Sequence, residues 1–266
     1  MRLRDKVAIV LGAGQSPGEG LGNGRATVLR FVQEGARVLA IDNNLSSAEE
    51  TVAMARHSAG ECVAFRADVA MESSLADMVE ATRRRWGRVD VLHYNVGVSI
   101  AGGDAPIEEI TEAAFDHIAT LNLRGTIMAC KHVLPLMRAQ RSGVIITISS
   151  TAAWEQYTNV AYKAMKAGMI AFTQQVAIQN AEFGIRANVI LPGLIDTPMA
   201  VDTRARVSGK SRAEIAASRD AQVPLRHKMG TAWDVANAAL FLASDEANFI
   251  TGVALPVDGG ALVRIG

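Results

Sequence analysis

The chain has 266 residues, of which 49% are hydrophobic, and its 27 basic and 27 acidic side chains leave no net charge. That size and balance suit one domain with a large core, and the scattered basic residues give no electrostatic footprint for nucleic acid. No apolar run is long enough to span a bilayer, so no membrane contact is expected. The run at 7–11, after a start of Met1-Arg2-Leu3-Arg4-Asp5-Lys6, lacks the length and the small-residue cleavage site of a signal peptide. Cys62 and Cys130 stand apart without CxxC spacing, which suits a reducing, cytoplasmic compartment. The five histidines show no paired metal-ligand spacing, so no metal is expected.

Short runs rich in Val and Ile alternate with longer amphipathic segments. In chain order the expected strands are 7–11, 36–41, 62–65, 89–94, 144–148, 186–191 and 253–257. The expected helices are 24–34, 47–59, 74–86, 111–138, 161–181 and 232–243, with capping signals at Ser47 with Glu50, Ser211 with Glu214, and Thr231 with Asp234. Arg83-Arg84-Arg85 falls at the end of one of them, where it meets solvent and the helix dipole. Repeated strand and helix imply a doubly wound α/β fold: a parallel sheet sandwiched between helices.

The first strand runs into Gly12-Ala13-Gly14-Gln15-Ser16-Pro17-Gly18-Glu19-Gly20-Leu21-Gly22-Asn23-Gly24, and a helix follows. Glycines between a strand and a helix let backbone N–H groups approach a pyrophosphate, and Gly12, Gly22, Asn23 and Gly24 are the expected contacts. Asp42 ends the second strand, where an acid would hold the adenosine ribose hydroxyls and repel a 2′-phosphate. No Lys or Arg follows in Asn43-Asn44-Leu45. NAD is the expected cofactor.

Ser149 and Ser150 close the strand at 144–148, and Tyr162 and Lys166 lie one helical turn apart just downstream. A phenol titrates near ~10, so it needs a cation close by to work as a base at neutral pH. At i,i+4 the Lys166 ammonium reaches the face of the Tyr162 ring. With a cationic cofactor, it is expected to depress the phenol. Alone this spacing is common on solvated helices; the strand end beside it makes it an acid/base device.

From 196 to 225 the chain turns polar and Arg-rich, with one capped helix and no strand, which reads as a helical substrate lid. Val98, Ala152, Trp154, Leu194 and Met199 are expected to wall a mainly apolar pocket for a cyclic secondary alcohol or its ketone.

Nearly the whole chain resembles the short-chain dehydrogenase/reductase family. Besides Tyr162 and Lys166, the resemblance rests on Asp68-Val69, Asn95-Val96-Gly97, Asn122, Pro192-Gly193-Leu194-Ile195-Asp196-Thr197 and Val257-Asp258-Gly259-Gly260. It implies hydride exchange between NAD(H) and an alcohol or ketone, with Ser150 orienting the substrate oxygen and Tyr162 moving its proton. Lys166 would bind the nicotinamide ribose, and Asn122 would hold a water in a proton relay. Asp68 and Val69 would face the adenine, Asn95 and Gly97 the cofactor, and Pro192, Gly193, Ile195 and Thr197 the nicotinamide carboxamide. A homotetramer is implied through the helices at 111–138 and 161–181. Two features depart from the family pattern. Gly22 and Gly24 lie six positions further from Gly12 than usual, an enlarged loop that leaves the parts played by Gly14 and Ser16 open. The spacing from Ser150 to Tyr162 is one residue short, so a count back from the tyrosine would select Ser149 instead. The alternatives are an NADP-dependent 3-oxoacyl thioester reductase and a catalytically silent NAD-binding sensor.

Overall fold

A computed structural model describes residues 1–264. Seven strands, β1 (Val7–Leu11), β2 (Arg37–Asp42), β3 (Glu61–Arg66), β4 (Val91–Tyr94), β5 (Gly143–Ile148), β6 (Ile185–Pro192) and β9 (Ala254–Val257), form one parallel sheet in the order β3-β2-β1-β4-β5-β6-β9. Because both faces are covered, the central strands are apolar without alternation, and all five residues of β1 are buried. Ala8 and Val10 point to one face, where they meet Val28, Phe31, Val235 and Leu240 of α1 (Asn23–Gln33) and α9 (Ala232–Ala243). Ile9 and Leu11 point to the other, packing with Met78, Met137 and Met169 of α3 (Glu72–Trp86), α5 (Gly125–Gln140) and α6 (Val160–Asn180). The result is a single doubly wound domain.

Several boundaries differ from the sequence expectation, each for a local reason. β4 starts at Val91 because the Gln140 side chain takes both backbone groups of Val89. The helix expected at 47–59 is α2 (Leu45–Met54): Asn44, not Ser47, is its cap, accepting from the Ser47 N–H at 3.3 Å. The expected helix at 111–138 divides into α4 (Glu112–Ala119), a π-turn at Thr120–Arg124, and α5. The segment at 196–225 holds two helices, α7 (Thr203–Ser208) and α8 (Arg212–Asp220), where one was expected. It also opens on a two-residue strand, β7 (Ile195–Asp196), paired with β8 (Gly230–Thr231). The caps at Ser211 and Thr231 form as expected, with Glu214 and Asp234 reaching back to them.

The chain builds β1 to β3 outward in one direction and then crosses to β4 and the strands beyond. That reversal leaves a crevice beyond the carboxyl ends of β1 and β4, where open α/β sheets bind ligands. No helix among the described residues is long and apolar enough to cross a membrane.

His93, on β4, is wholly buried, and neither ring nitrogen has a hydrogen-bond partner among the described residues. Burial pushes its pKa down to about 3. Between that value and about 6.5 the unfolded chain therefore binds a proton that the native state refuses, so stability falls as pH falls through this window. Urea unfolding should show His93→Leu losing roughly 1 kcal/mol less per pH unit than the parent between pH ~6 and ~4. Parallel profiles would contradict this role for His93.

Candidate active site

A cleft of about 960 Å³ opens at the reversal point and holds the glycine loop, the end of β5, the start of α6 and the inner side of the 196–225 segment. All the expected site residues line it except Asn122, which lies just behind. Gly14 and Ser16 line it as well. Gly12 adopts φ 76°, a left-handed backbone that suits glycine. A side chain at Gly24 would collide with the Gly12 carbonyl, so α1 and the loop meet backbone to backbone. The Asn95 amide Nδ2 also donates to that carbonyl, at 3.3 Å. The α1 N-terminus carries no acid in its first turn, and the buried Asn23 Oδ1 has no partner among the described residues. A bare helix end and a side-chain-free cradle fit a dinucleotide phosphate group.

Asp42 accepts from the Gly14 N–H at 2.9 Å and from the Asn44 N–H at 3.0 Å. Its neighbours along the cleft are Asn43, Asn44, Asp68 and Val69, with no lysine or arginine among them. Arg66 is its register partner on β3, exposed and outside the cleft lining. Asp68 accepts from the Ala70 N–H at 2.9 Å, which fixes the turn after β3.

The stretch Gln15–Gly20 closes on itself through one side chain. Gln15 accepts from the Gly22 N–H at 3.0 Å and donates to the Gly20 carbonyl at 3.3 Å. Its tip rests on the 196–225 segment: the Glu19 N–H meets Asp202 at 3.2 Å, and Arg206 donates to the Pro17 carbonyl at 3.0 Å.

Successive residues at a strand end face opposite ways, and this separates the two serines. Ser149 is buried and donates to the Lys166 carbonyl at 2.7 Å. Ser150 accepts from the Ala152 N–H at 3.2 Å and lies beside the Tyr162 phenol. Lys166 is buried; its ammonium donates to the Ile148 carbonyl at 2.7 Å and sits 5.5 Å from the Tyr162 ring centroid. The expected depression of Tyr162 is absent from the protein groups alone. Burial pushes the phenol up to about 12 despite the opposing pull of Ser150, and burial lowers Lys166 to about 7.

Asn122 is buried in the π-turn, an irregularity common at functional sites. Its amide donates to the Val98 and Ile118 carbonyls at 2.8 and 3.0 Å, and its Oδ1 accepts from the Val98 N–H at 3.1 Å. Only a glycine fits between this group and Lys166: a Cβ at Gly97 would fall 2.6 Å from Asn122 Oδ1 and 3.1 Å from Lys166 Nζ. Thr197 Oγ1 accepts from the Ala200 N–H at 3.2 Å, which turns the chain into the 196–225 segment. Val98, Ala152, Leu194 and Met199 line the cleft as expected, but Trp154 does not. It is 52% exposed, turned outward by the short 3₁₀ turn at Thr151–Ala153.

Asp104 went unread in the sequence. Its buried carboxylate accepts from the Ala161 N–H at 3.0 Å and the Tyr162 N–H at 3.3 Å, so it caps α6 where the N-cap residue Asn159 makes no capping bond and instead donates its amide to the Asp104 carbonyl at 3.1 Å. It also accepts from Ser99, whose hydroxyl meets that of Tyr157 at 3.2 Å. No local pattern could reveal a cap supplied from another loop. The arginines Arg204 and Arg219 also line the cleft.

A parallel sheet with a glycine loop after its first strand and a ligand crevice at its reversal point defines a Rossmann-type nucleotide-binding fold. The family described as Enoyl-(Acyl carrier protein) reductase matches residues 19–261. The chain is 35% identical to the 2-(R)-hydroxypropyl-CoM dehydrogenase of Xanthobacter autotrophicus, covering 96% of this chain and 97% of that one. It is 34% identical to the 3-oxoacyl-(acyl-carrier-protein) reductase of Thermotoga maritima, covering 99% and 100%. The crystal structure of levodione reductase superposes with a TM-score of 0.92 at 31% identity, over 99% of this chain and 100% of that one. The chain belongs to the short-chain dehydrogenase/reductase family.

Asp104→Ala would strand two buried N–H groups at the start of α6. Urea unfolding should show a loss of roughly 2 kcal/mol, with Asp104→Asn recovering at least half of it. An Ala variant as stable as the parent would show that α6 needs no cap there.

Proposed function

We propose that the protein interconverts a secondary alcohol and a ketone using NAD(H), with Ser150, Tyr162 and Lys166 as its proton machinery. The observation that carries this reading is the meeting of those three side chains on one wall of the same cleft that holds the glycine loop and Asp42. Bound NAD(H) supplies the hydride chemistry and, when oxidised, a positive ring charge. Ser150 fixes the substrate oxygen beside the phenol. Tyr162 Oη takes the proton of the alcohol or returns it to the ketone oxygen. Lys166, held by the Ile148 carbonyl, keeps an N–H donor near the nicotinamide ribose and the phenol. Because burial favours neutral Tyr162, the phenolate would become accessible once a positive charge, such as an oxidised nicotinamide ring would supply, stood beside it. Asn122 connects Lys166 to solvent through water. Glycines 12, 22 and 24 with Asn23 hold the pyrophosphate, and Asp42 holds the adenosine ribose. Asp68 and Val69 face the adenine. Asn95 and Gly97 support the cofactor, and Pro192, Gly193, Ile195 and Thr197 receive the carboxamide. Residues 196–225 form the substrate lid. The assembly is a homotetramer in the cytoplasm, packed through the segments at 111–138 and 161–181, where Phe115 and Ile178 are exposed.

One observation favours a second reading. Arg66 stands beside Asp42 in the sheet register as the basic residue a 2′-phosphate would need, and one relative is named a 3-oxoacyl-(acyl-carrier-protein) reductase. A kcat/KM higher with NADPH than with NADH would establish that alternative. A silent NAD-binding sensor has no use for the three proton-handling residues together.

Tyr162→Phe should reduce turnover of an alcohol and ketone panel by roughly 10³-fold or more while leaving NADH affinity within about three-fold. Oxidation needs the deprotonated phenol and reduction the protonated one, so kcat/KM should rise with pH for alcohols and fall for ketones. Retained activity in the Phe variant, or profiles of the opposite sign, would remove Tyr162 from the mechanism.

A further inference from the structure

At the lid end of the cleft, α7 carries Arg204 and α8 carries Arg219, and both line it. Neither makes a salt bridge with any described residue. Arg204 donates only to the Ala200 carbonyl, at 2.9 Å. Arg219 Nε is buried without an acceptor. Acidic groups are present on the surrounding elements, yet other partners hold them. Asp196 and Asp202 both face Arg212, at 2.6 and 3.4 Å. Asp220 is held by Lys228 and the Met229 N–H, Asp104 caps α6, and Glu155 accepts from Thr151 at 3.0 Å. A third arginine, Arg264, is exposed along the same cleft.

A buried guanidinium N–H left without an acceptor is costly, and a second guanidinium close by adds to the cost, although the fields of Asp196 and Glu155 offset part of it. That cost shows in Arg219, whose pKa burial and the neighbouring Arg204 lower to about 10. The field of Arg204 also reaches Tyr162, so these cations and the proton-handling phenol share one chamber. Val98, Leu194 and Met199 wall the space with apolar surface. An apolar alcohol would leave both arginines unpaired after displacing the water around them. A planar carboxylate accepts two parallel N–H bonds from a guanidinium, the geometry for which arginine is best built.

We propose that the substrate is a hydroxy acid, or the corresponding oxo acid, with a carboxylate held by Arg204 and Arg219 and an apolar body between it and the reacting carbon at Tyr162. The inference deepens the alcohol and ketone reading above and rests on it. It also replaces the purely apolar pocket expected from the sequence, whose reading of 196–225 did not place its arginines inside the cleft.

The test uses the protein loaded with NADH and two probes of one shape, 4-oxocyclohexanecarboxylate and its neutral carboxamide, with binding read by calorimetry. The parent should bind the carboxylate at least about ten-fold more tightly than the amide. Arg204→Gln and Arg219→Gln should each bring the two probes to within about three-fold of one another, while NADH affinity is kept. Arg219→Lys should restore part of the preference, since it returns the charge without the fork. Equal binding of the two probes by the parent, binding of neither, or a preference that survives both Gln variants would overturn the proposal. NADH fluorescence separates the two levels: a parent that binds NADH but shows no carboxylate preference fails only the carboxylate assignment. One that does not bind NADH fails the underlying reading and the assignment with it.

Discussion

An ammonium and a phenol share one desolvated wall of the cleft, and burial drives both toward their neutral forms, Lys166 to about 7 and Tyr162 to about 12. A spacing of one helical turn puts these groups side by side, but proximity does not make the phenol acidic. The Lys166 ammonium donates to the Ile148 carbonyl and stands 5.5 Å from the Tyr162 ring centroid. Under the mechanism proposed, the site is therefore conditional. The same desolvation that holds Tyr162 neutral makes a positive charge arriving with the cofactor more effective than it would be in water. Proton transfer is then tied to occupancy of the nucleotide site. Asp104 belongs to this arrangement because it sets where α6 begins, and so where both groups stand.

Two contact networks converge on the 196–225 segment. On one side, Asp202 and Arg206 hold the tip of the glycine loop through the Glu19 N–H and the Pro17 carbonyl. On the other, Arg204 and Arg219 line the cleft. A small apolar cluster of Val201, Val223 and Met229 holds the segment together between them. Pro17 and Glu19 of the glycine loop thus reach across to the 196–225 segment, which ties the two sides of the cleft together.

The strands were legible because a sheet buried on both faces demands continuous apolar runs, and those at 7–11 and 144–148 could hardly serve elsewhere. The glycine loop, Asp42, Tyr162 and Lys166 were legible because each occupies a fixed place relative to a strand end or a helix turn. Features made by contacts distant in sequence were not. Asp104 caps a helix 57 residues away. Asn44 displaced Ser47 as a cap because the Ser47 hydroxyl is used by Gln15 and Arg25. The π-turn that places Asn122 leaves the apolar periodicity of 111–138 nearly intact, so an unbroken helix was the natural reading. Trp154 looked like a pocket wall from composition alone, but a three-residue turn sends it to solvent. The arginines of 196–225 read as surface charge because nothing local says which side of a short helix faces the cleft.

The chain contains three tyrosines, and Tyr94 is fully buried with its hydroxyl donated to the Leu121 carbonyl, so burial drives its ionisation far up. Tyr162 can therefore be followed by ultraviolet difference titration of tyrosinate, with Tyr162→Phe as the reference. Saturating oxidised cofactor should move the Tyr162 transition down by roughly two units or more relative to the protein alone. A transition that does not move, or that moves equally in the Phe variant, would contradict the conditional acidity on which the proposed chemistry stands.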